Sequence, residues 1–301
     1  MVAALVLSVL VVGVFAVHFL AKAYGPVRTE DIAALHVLAG TPPGPVTDRL
    51  FAAYLSRARR YRTSWSVAGW LGGVVLAVAL QDNTAAFGNP FLTGPIGYLA
   101  GAVVAELHHL RRRPHGARTA SLAPRRLGDY VQARQQRLLR GLVLLMGAVT
   151  AVGLVLDASN RSDVRSRPDL PPYVVREAKG FWIPLVVLGA VAVAVWVIVE
   201  RTERAVVERP RPAMAEDLAR ADDAIRASSV QALALGGAGF IALLGCWAVS
   251  VTANGFVDYD ALHPWALLLE LALFALAIRL AFRARRLAWP LRKLEVDGAP
   301  R

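Results

Sequence analysis

Residues 124–157 read PRRLGDYVQARQQRLLRGLVLLMGAVTAVGLVLD. Arginines at 125, 126, 134, 137 and 140 give way, without a break, to sixteen uncharged residues at 141–156. A bilayer core of about 30 Å takes roughly 20 apolar residues in helix, so this stretch predicts a basic leader that continues directly into a membrane span. Six further stretches have the same apolar character: 2–20, 65–80, 91–109, 181–199, 230–252 and 264–282. The whole chain of 301 residues is 56% hydrophobic, with a mean hydropathy of +0.46. That exceeds the roughly half apolar and quarter charged mix of an ordinary soluble domain. The expectation is an all-α, polytopic transmembrane bundle of about seven spans, built as one integral membrane domain over 1–301.

Charge orients the spans. Lys and Arg number seven in 21–64, none in 81–90, nine in 110–140, five in 158–180, six in 200–229, none in 253–263 and six in 283–301. High and low counts alternate, and cytoplasmic loops retain positive charge. The N-terminus is therefore expected outside and the C-terminus inside the plasma membrane of a bacterium. Arginine outnumbers lysine thirty-one to three, a bias that fits high-GC coding. The expected divisions are a first helix at 1–20, a basic segment at 21–64, hairpin 1 at 65–109, a basic loop at 110–140, hairpin 2 at 141–199, a loop at 200–229, hairpin 3 at 230–282 and a basic tail at 283–301. Ala21 and Ala23 resemble a signal-peptidase site, but the preceding MVAALV has no basic region, so the first helix is expected to be retained. Trp65, Trp70, Trp182 and Trp265 fall near span ends, where their rings suit the headgroup layer.

Three leaders share a proline, an acid and an amphipathic basic stretch: PVTDRLFAAYLSRARRYR from Pro45, PRRLGDYVQARQQRLLR from Pro124 and PAMAEDLARADDAIR from Pro212. Proline suits the first turn of a helix, where its missing N–H costs nothing. Each leader is expected to extend its membrane helix into the cytoplasm. Between the first span and the first leader, TEDIAALHVLAG predicts a short helix with Thr29 at its cap and Gly40 at its end; His36 has no evident partner in the sequence.

The arginines Arg111, Arg112, Arg113, Arg125, Arg126, Arg57, Arg59 and Arg60 are the candidates for binding anionic phospholipid headgroups or a membrane or cytoplasmic protein partner. Near a membrane surface each is worth about 1 kcal/mol. A nucleic-acid role is not expected, because the charge is spread over four segments without aromatic interleaving. His108, His109 and His115 lack zinc spacing, and Asp258, Asp260 and His263 are expected to form a solvated loop. Cys246 is the single cysteine, so no intramolecular disulfide or thiolate cluster forms. No cofactor is expected, since no phosphate loop, zinc helix, nucleophile elbow or dinucleotide fingerprint occurs. Asp222 and Asp223 are expected to form a helix-surface pair.

Ionisable groups inside apolar spans are costly and mark partners or cavities. Glu270, six residues after Pro264, lies roughly 9 Å into its span and is the first intramembrane candidate. Glu106 is the second, expected to pair with Arg140 or another leader arginine. Arg279 can snorkel to the interface, and His18 lies near a span end. Gly69 and Gly73, Gly97 and Gly101, Gly147 and Ala151, and Ala190 and Ala194 are expected to pack helices within the bundle. FGNPFLTGPIG (residues 87–97) is expected to form a turn before the third span. Three functions follow in order: a noncatalytic accessory or scaffold protein, a transporter or channel using Glu270, and an intramembrane lipid-modifying enzyme.

Overall fold

A computed structural model of the chain describes residue 14 and residues 17–79, 90–111, 127–166, 182–209, 215–254 and 263–285. Among them all regular structure is helical. The long helices are α1 (Thr29–Ala39), α2 (Pro45–Ala79), α3 (Pro90–Arg111), α4 (Ala133–Ser166), α5 (Trp182–Glu208), α6 (Glu216–Asn254) and α7 (His263–Arg285). A 3₁₀ turn at Leu127–Asp129 precedes α4, and residues 17–24 are also helical.

Among the described residues, four stretches are long and apolar enough to cross a membrane: Ala133–Ser159, Trp182–Glu208, Glu216–Ala253 and Pro264–Ala281. They carry the expected spans at 141–157, 181–199, 230–252 and 264–282. The expected spans at 65–80 and 91–109 lie on α2 and α3, which are not among the four. The apolar half of α2 is short beneath its basic first half, while α3 holds Pro95, Thr93, Glu106 and two histidines. Most of the expected first span lies outside the described residues.

The described residues fall into two compact units. The first draws on Met1–Gln132, Arg201–Leu233 and Arg285–Arg301, and the second on Ala133–Glu200 and Ala234–Ala284. In the first unit the leaders do not stand apart as separate arms. Leu35 and Leu38 of α1, Phe51, Tyr54 and Ala58 of α2, Tyr130 and Val131, Val206 and Val207 of α5, and Ala221, Ala224 and Ile225 of α6 share one apolar core. Phe51, Tyr54 and Ala58 recur at three- and four-residue intervals, which puts them on one face of a helix.

Several local expectations change. Thr29 is the first residue of α1, and the cap position is Arg28, in extended conformation without a side-chain cap bond. Gly40 ends the helix as expected, at φ 60 with its N–H turned to the His36 and Val37 carbonyls, a left-handed conformation that glycine adopts at little cost. His36 has partners: its Nε2 lies 2.6 Å from the Asp48 carboxylate and its Nδ1 3.2 Å from the Thr41 hydroxyl. Phe51 meets the imidazole edge-on. Pro45 opens α2 as expected, whereas Pro124 and Pro212 lie outside the described residues and the helices after them begin at Ala133 and Glu216.

The expected turn before the third span is replaced, from Pro90 onward, by helix that continues through Pro95. Residues 87–89 lie outside the described residues. Proline this near a helix start removes a single backbone bond, so tight packing can carry it. That packing is the α2–α3 seam. A Cβ at Gly97 would strike the Trp65 carbonyl, one at Gly101 would lie 2.6 Å from the Tyr61 oxygen, and one at Gly69 would strike the Thr93 carbonyl. Small residues thus let the two backbones touch, as expected for Gly69, Gly73, Gly97 and Gly101. Gly97→Val is expected to cost about 1–3 kcal/mol by overpacking. Gly72→Ala, where a Cβ meets nothing within 4 Å, should leave stability unchanged. Thermal denaturation of the two variants in lipid nanodiscs checks this contrast.

In the second unit the expected small pairs do not form the contacts. Gly147, Ala151, Ala190 and Ala194 are exposed. Gly153 packs instead against Leu185 and Thr252, and Gly237 against Val199. The apolar window of α6 is 78% buried, while those of α4, α5 and α7 are 22%, 22% and 17% buried. α6 is therefore an inner helix, and Leu144, Val155, Ile183, Trp265 and Leu271 on the others are exposed, as suits side chains in contact with lipid.

Candidate functional site

The first unit holds a line of buried polar groups on α2, α3 and α6. Tyr54, Ala58 and Arg62 follow one another at four-residue steps along α2, which stacks them on a single face. Ser228 and Ser229 interrupt the apolar run of α6, and Glu106 comes from the last part of α3. The Tyr54 hydroxyl and Ser229 Oγ are 2.8 Å apart. Ser229 also hydrogen-bonds the Glu106 side chain. Across from it, Arg62 Nη2 stands 4.0 Å from Glu106 Oε1, and the Tyr98 hydroxyl lies within hydrogen-bonding reach of the guanidinium. Glu106 is 3% exposed and Ser229 fully buried.

Electrostatics hold the groups in fixed forms. Burial pushes the Tyr54 phenol above its ordinary range, and the Glu106 charge adds to that, so Tyr54 stays a neutral hydroxyl. Burial alone pulls the Arg62 guanidinium down, but Tyr98, Tyr54 and Glu106 outweigh it and hold it above its ordinary value. The Arg62–Glu106 pair is a buried contact that is not closed by a direct hydrogen bond: Glu106 Oε1 and Arg62 Nη2 are both left without one.

A second cluster closes the end of α5. Arg226, fully buried, donates through Nη1 to the carbonyls of Val206, Val207 and Arg209 at 3.4, 3.1 and 2.6 Å. These include last-turn carbonyls that have no partner within the helix. Nε of Arg226 donates to Asp222 Oδ2 at 2.8 Å, and Arg209 donates to the other oxygen of Asp222. Asp222 is therefore a buried counterion, which corrects the expectation of a helix-surface pair. Asp223 accepts a 3.1 Å hydrogen bond from the Tyr130 hydroxyl.

The sequence candidates separate. Glu106 pairs with a leader arginine, Arg62, while Arg140 bonds Glu200 at 3.1 Å. Glu270 is half-buried on α7. Arg279 and His18 are exposed. Arg57 and Arg59 are half-buried, Arg59 donating to the Gly25 and Pro26 carbonyls at 2.6 and 3.1 Å. Arg60 is exposed, with its guanidinium 5.3 Å from the centre of the Tyr24 ring. Arg111 ends α3, and Arg112, Arg113, Arg125 and Arg126 lie outside the described residues, as do Asp258 and Asp260.

Tyr54, Arg62, Tyr98, Ser229 and Arg226 were not among the sequence candidates. The available signal was the four-residue spacing of Tyr54, Ala58 and Arg62, together with two adjacent serines in an apolar helix. Comparison with protein-family models, curated proteins and solved structures finds no match. The fold defines a class: a membrane protein that, among the described residues, is all-helical, with four helices long and apolar enough to cross a bilayer.

Proposed function

We propose that the chain is a noncatalytic accessory or scaffold protein of a bacterial plasma membrane, with seven spans, its N-terminus outside and its C-terminus in the cytoplasm. Its arginine-rich cytoplasmic face receives a partner protein or anionic lipid. The supporting observation is the shared core of the leaders: α1, the first half of α2, the Tyr130 segment, the end of α5 and the start of α6 bury residues together. A folded unit of this kind holds Arg57, Arg59 and Arg60 in a fixed pattern, which limits the ordering cost of binding there. The docking surface comprises exposed Arg60 with Arg111, Arg112, Arg113, Arg125 and Arg126. Arg57 and Arg59 support it from within.

Extraction in native lipid followed by native mass spectrometry tests this proposal. Changing Arg111, Arg112 and Arg113 together to glutamine should remove about 3 kcal/mol of attraction to anionic lipid, so the retained lipid falls roughly 100-fold. Unchanged retention of lipid and protein partners in that variant contradicts the proposal. A second reading, transport, rests on Glu270, a carboxylate half-buried within apolar α7. A proton- or ion-coupled flux in proteoliposomes that Glu270→Gln abolishes favours it.

A further inference from the structure

The exposed side of α4 joins charge to an apolar stripe. At about 100° of turn per residue, Arg137, Leu144, Ala148, Ala151 and Val155 align along one side of the helix, and all five are exposed. Leu139, Leu142 and Met146, on the opposite side, are buried. Arg134 and Arg140 stand about 60° to either side of Arg137, and both are exposed. No acid occurs between Ala133 and Leu156. Arg140 Nη2 donates to Glu200 at 3.1 Å, which leaves most of the guanidinium donors for other acceptors. Arg137 bonds the Ala133 carbonyl through Nε, and neither it nor Arg134 pairs with a carboxylate among the described residues. The uncharged run at 141–156 spans about 24 Å as helix, short of a bilayer core of about 30 Å. The three arginines are therefore drawn to the level of the lipid phosphates.

We propose that this side of α4 seats one anionic phospholipid, its phosphate held by Arg134 and Arg137 with Arg140 beside them, and an acyl chain along the stripe from Leu144 to Val155. Guanidinium groups meet phosphate oxygens in paired, charge-assisted hydrogen bonds. Three of them against the single Glu200 carboxylate leave an excess of positive charge, which a headgroup of net negative charge offsets and a zwitterionic one does not. Arg140 also holds α4 to α5 through Glu200, so Arg134 and Arg137 set the preference. The apolar stripe directly below the charge selects a lipid over a soluble anion or an acidic protein. The seat lies outside the docking arginines of the proposed function and requires only that α4 crosses a membrane, whichever end is cytoplasmic.

Photocross-linking on the full chain in nanodiscs tests it. The probes are phosphatidylglycerol and phosphatidylcholine carrying the same diazirine acyl chain, each a minor part of a phosphatidylcholine bilayer, and labelled residues are mapped by mass spectrometry. Over 141–155 the phosphatidylglycerol probe should label in clear excess of the phosphatidylcholine probe. Arg134→Gln with Arg137→Gln should lower that ratio roughly 30-fold, about fivefold for each arginine. Should the double variant fail to fold, Arg137→Gln alone should lower it about fivefold. Changing Arg111, Arg112 and Arg113 to glutamine should leave the ratio on α4 as it was, so failure of the docking proposal is seen separately. Equal labelling by the two probes in the unaltered protein overturns the seat. So does a preference that survives loss of Arg134 and Arg137, or one that added inorganic phosphate removes at constant ionic strength.

Discussion

Arg226→Met is expected to unfold the leader core while leaving the second unit helical. Arg226 is the largest fully buried side chain among the described residues. Its guanidinium serves the carbonyls at the end of α5 and the Asp222 carboxylate at once. Methionine fills much of the volume but supplies none of the donors, so last-turn carbonyls lose their partner and Asp222 keeps only Arg209. Breaking a buried ion pair from one side costs about 3–5 kcal/mol. Lysine should rescue little, because a single ammonium cannot match a planar fork that meets a carboxylate and several carbonyls together. Hydrogen exchange followed by mass spectrometry in nanodiscs checks the outcome: amides of α1 and of the first half of α2 should lose protection, and those of 234–254 should keep it. Equal loss of protection in both regions would mean that Arg226 does not act locally.

The second large effect concerns the contact between α2 and α3. Arg62→Met leaves the Glu106 carboxyl buried opposite an apolar side chain, without its guanidinium partner. The loss should be about 3 kcal/mol, at the low end for a buried pair because the two groups are 4.0 Å apart. Arg62→Met combined with Glu106→Leu should recover most of that stability, since replacing both partners by apolar groups removes the unpaired carboxyl. The double variant therefore distinguishes an electrostatic pair from simple packing. If it is as unstable as the sum of the two single variants, the groups are not coupled. Thermal unfolding of the four proteins in one lipid composition supplies the comparison.

The membrane character of the chain was legible because apolar runs need no tertiary information. The stretch at 141–156 and its counterparts in α5, α6 and α7 mark themselves by length and composition, and the structure extends them into helices of 34, 27, 39 and 23 residues. The joining of basic leaders to spans was equally plain, since α4 and α6 each run unbroken from one to the other. What the leaders do with one another was not plain. Their apolar residues are few in each segment, and only the assembled core shows that Leu35, Phe51, Tyr130, Val206 and Ile225 belong together.

The site was half legible for the same reason. Glu106 stands out as an acid in an apolar segment, but its partner is forty-four residues upstream and its hydrogen-bonding serine far downstream. Arginine-rich composition also hid distinct roles. Arg226 is an interior cap, Arg59 ties α2 to the backbone at Gly25 and Pro26, and Arg60 is exposed. Periodicity separates buried from exposed positions only where apolar residues mark the buried face. In a leader where arginines occupy both faces, the contrast is lost.

Sidedness underlies the proposed docking face and can be measured on living cells. In a chain whose Cys246 has been replaced by alanine, single cysteines at positions 120, 215 and 258 are treated with a membrane-impermeant thiol reagent before and after the cells are opened. The account predicts that position 258 reacts in intact cells and that 120 and 215 react only once the cytoplasm is exposed. Reaction of 120 and 215 in intact cells, with 258 protected, would place the basic leaders outside and contradict it.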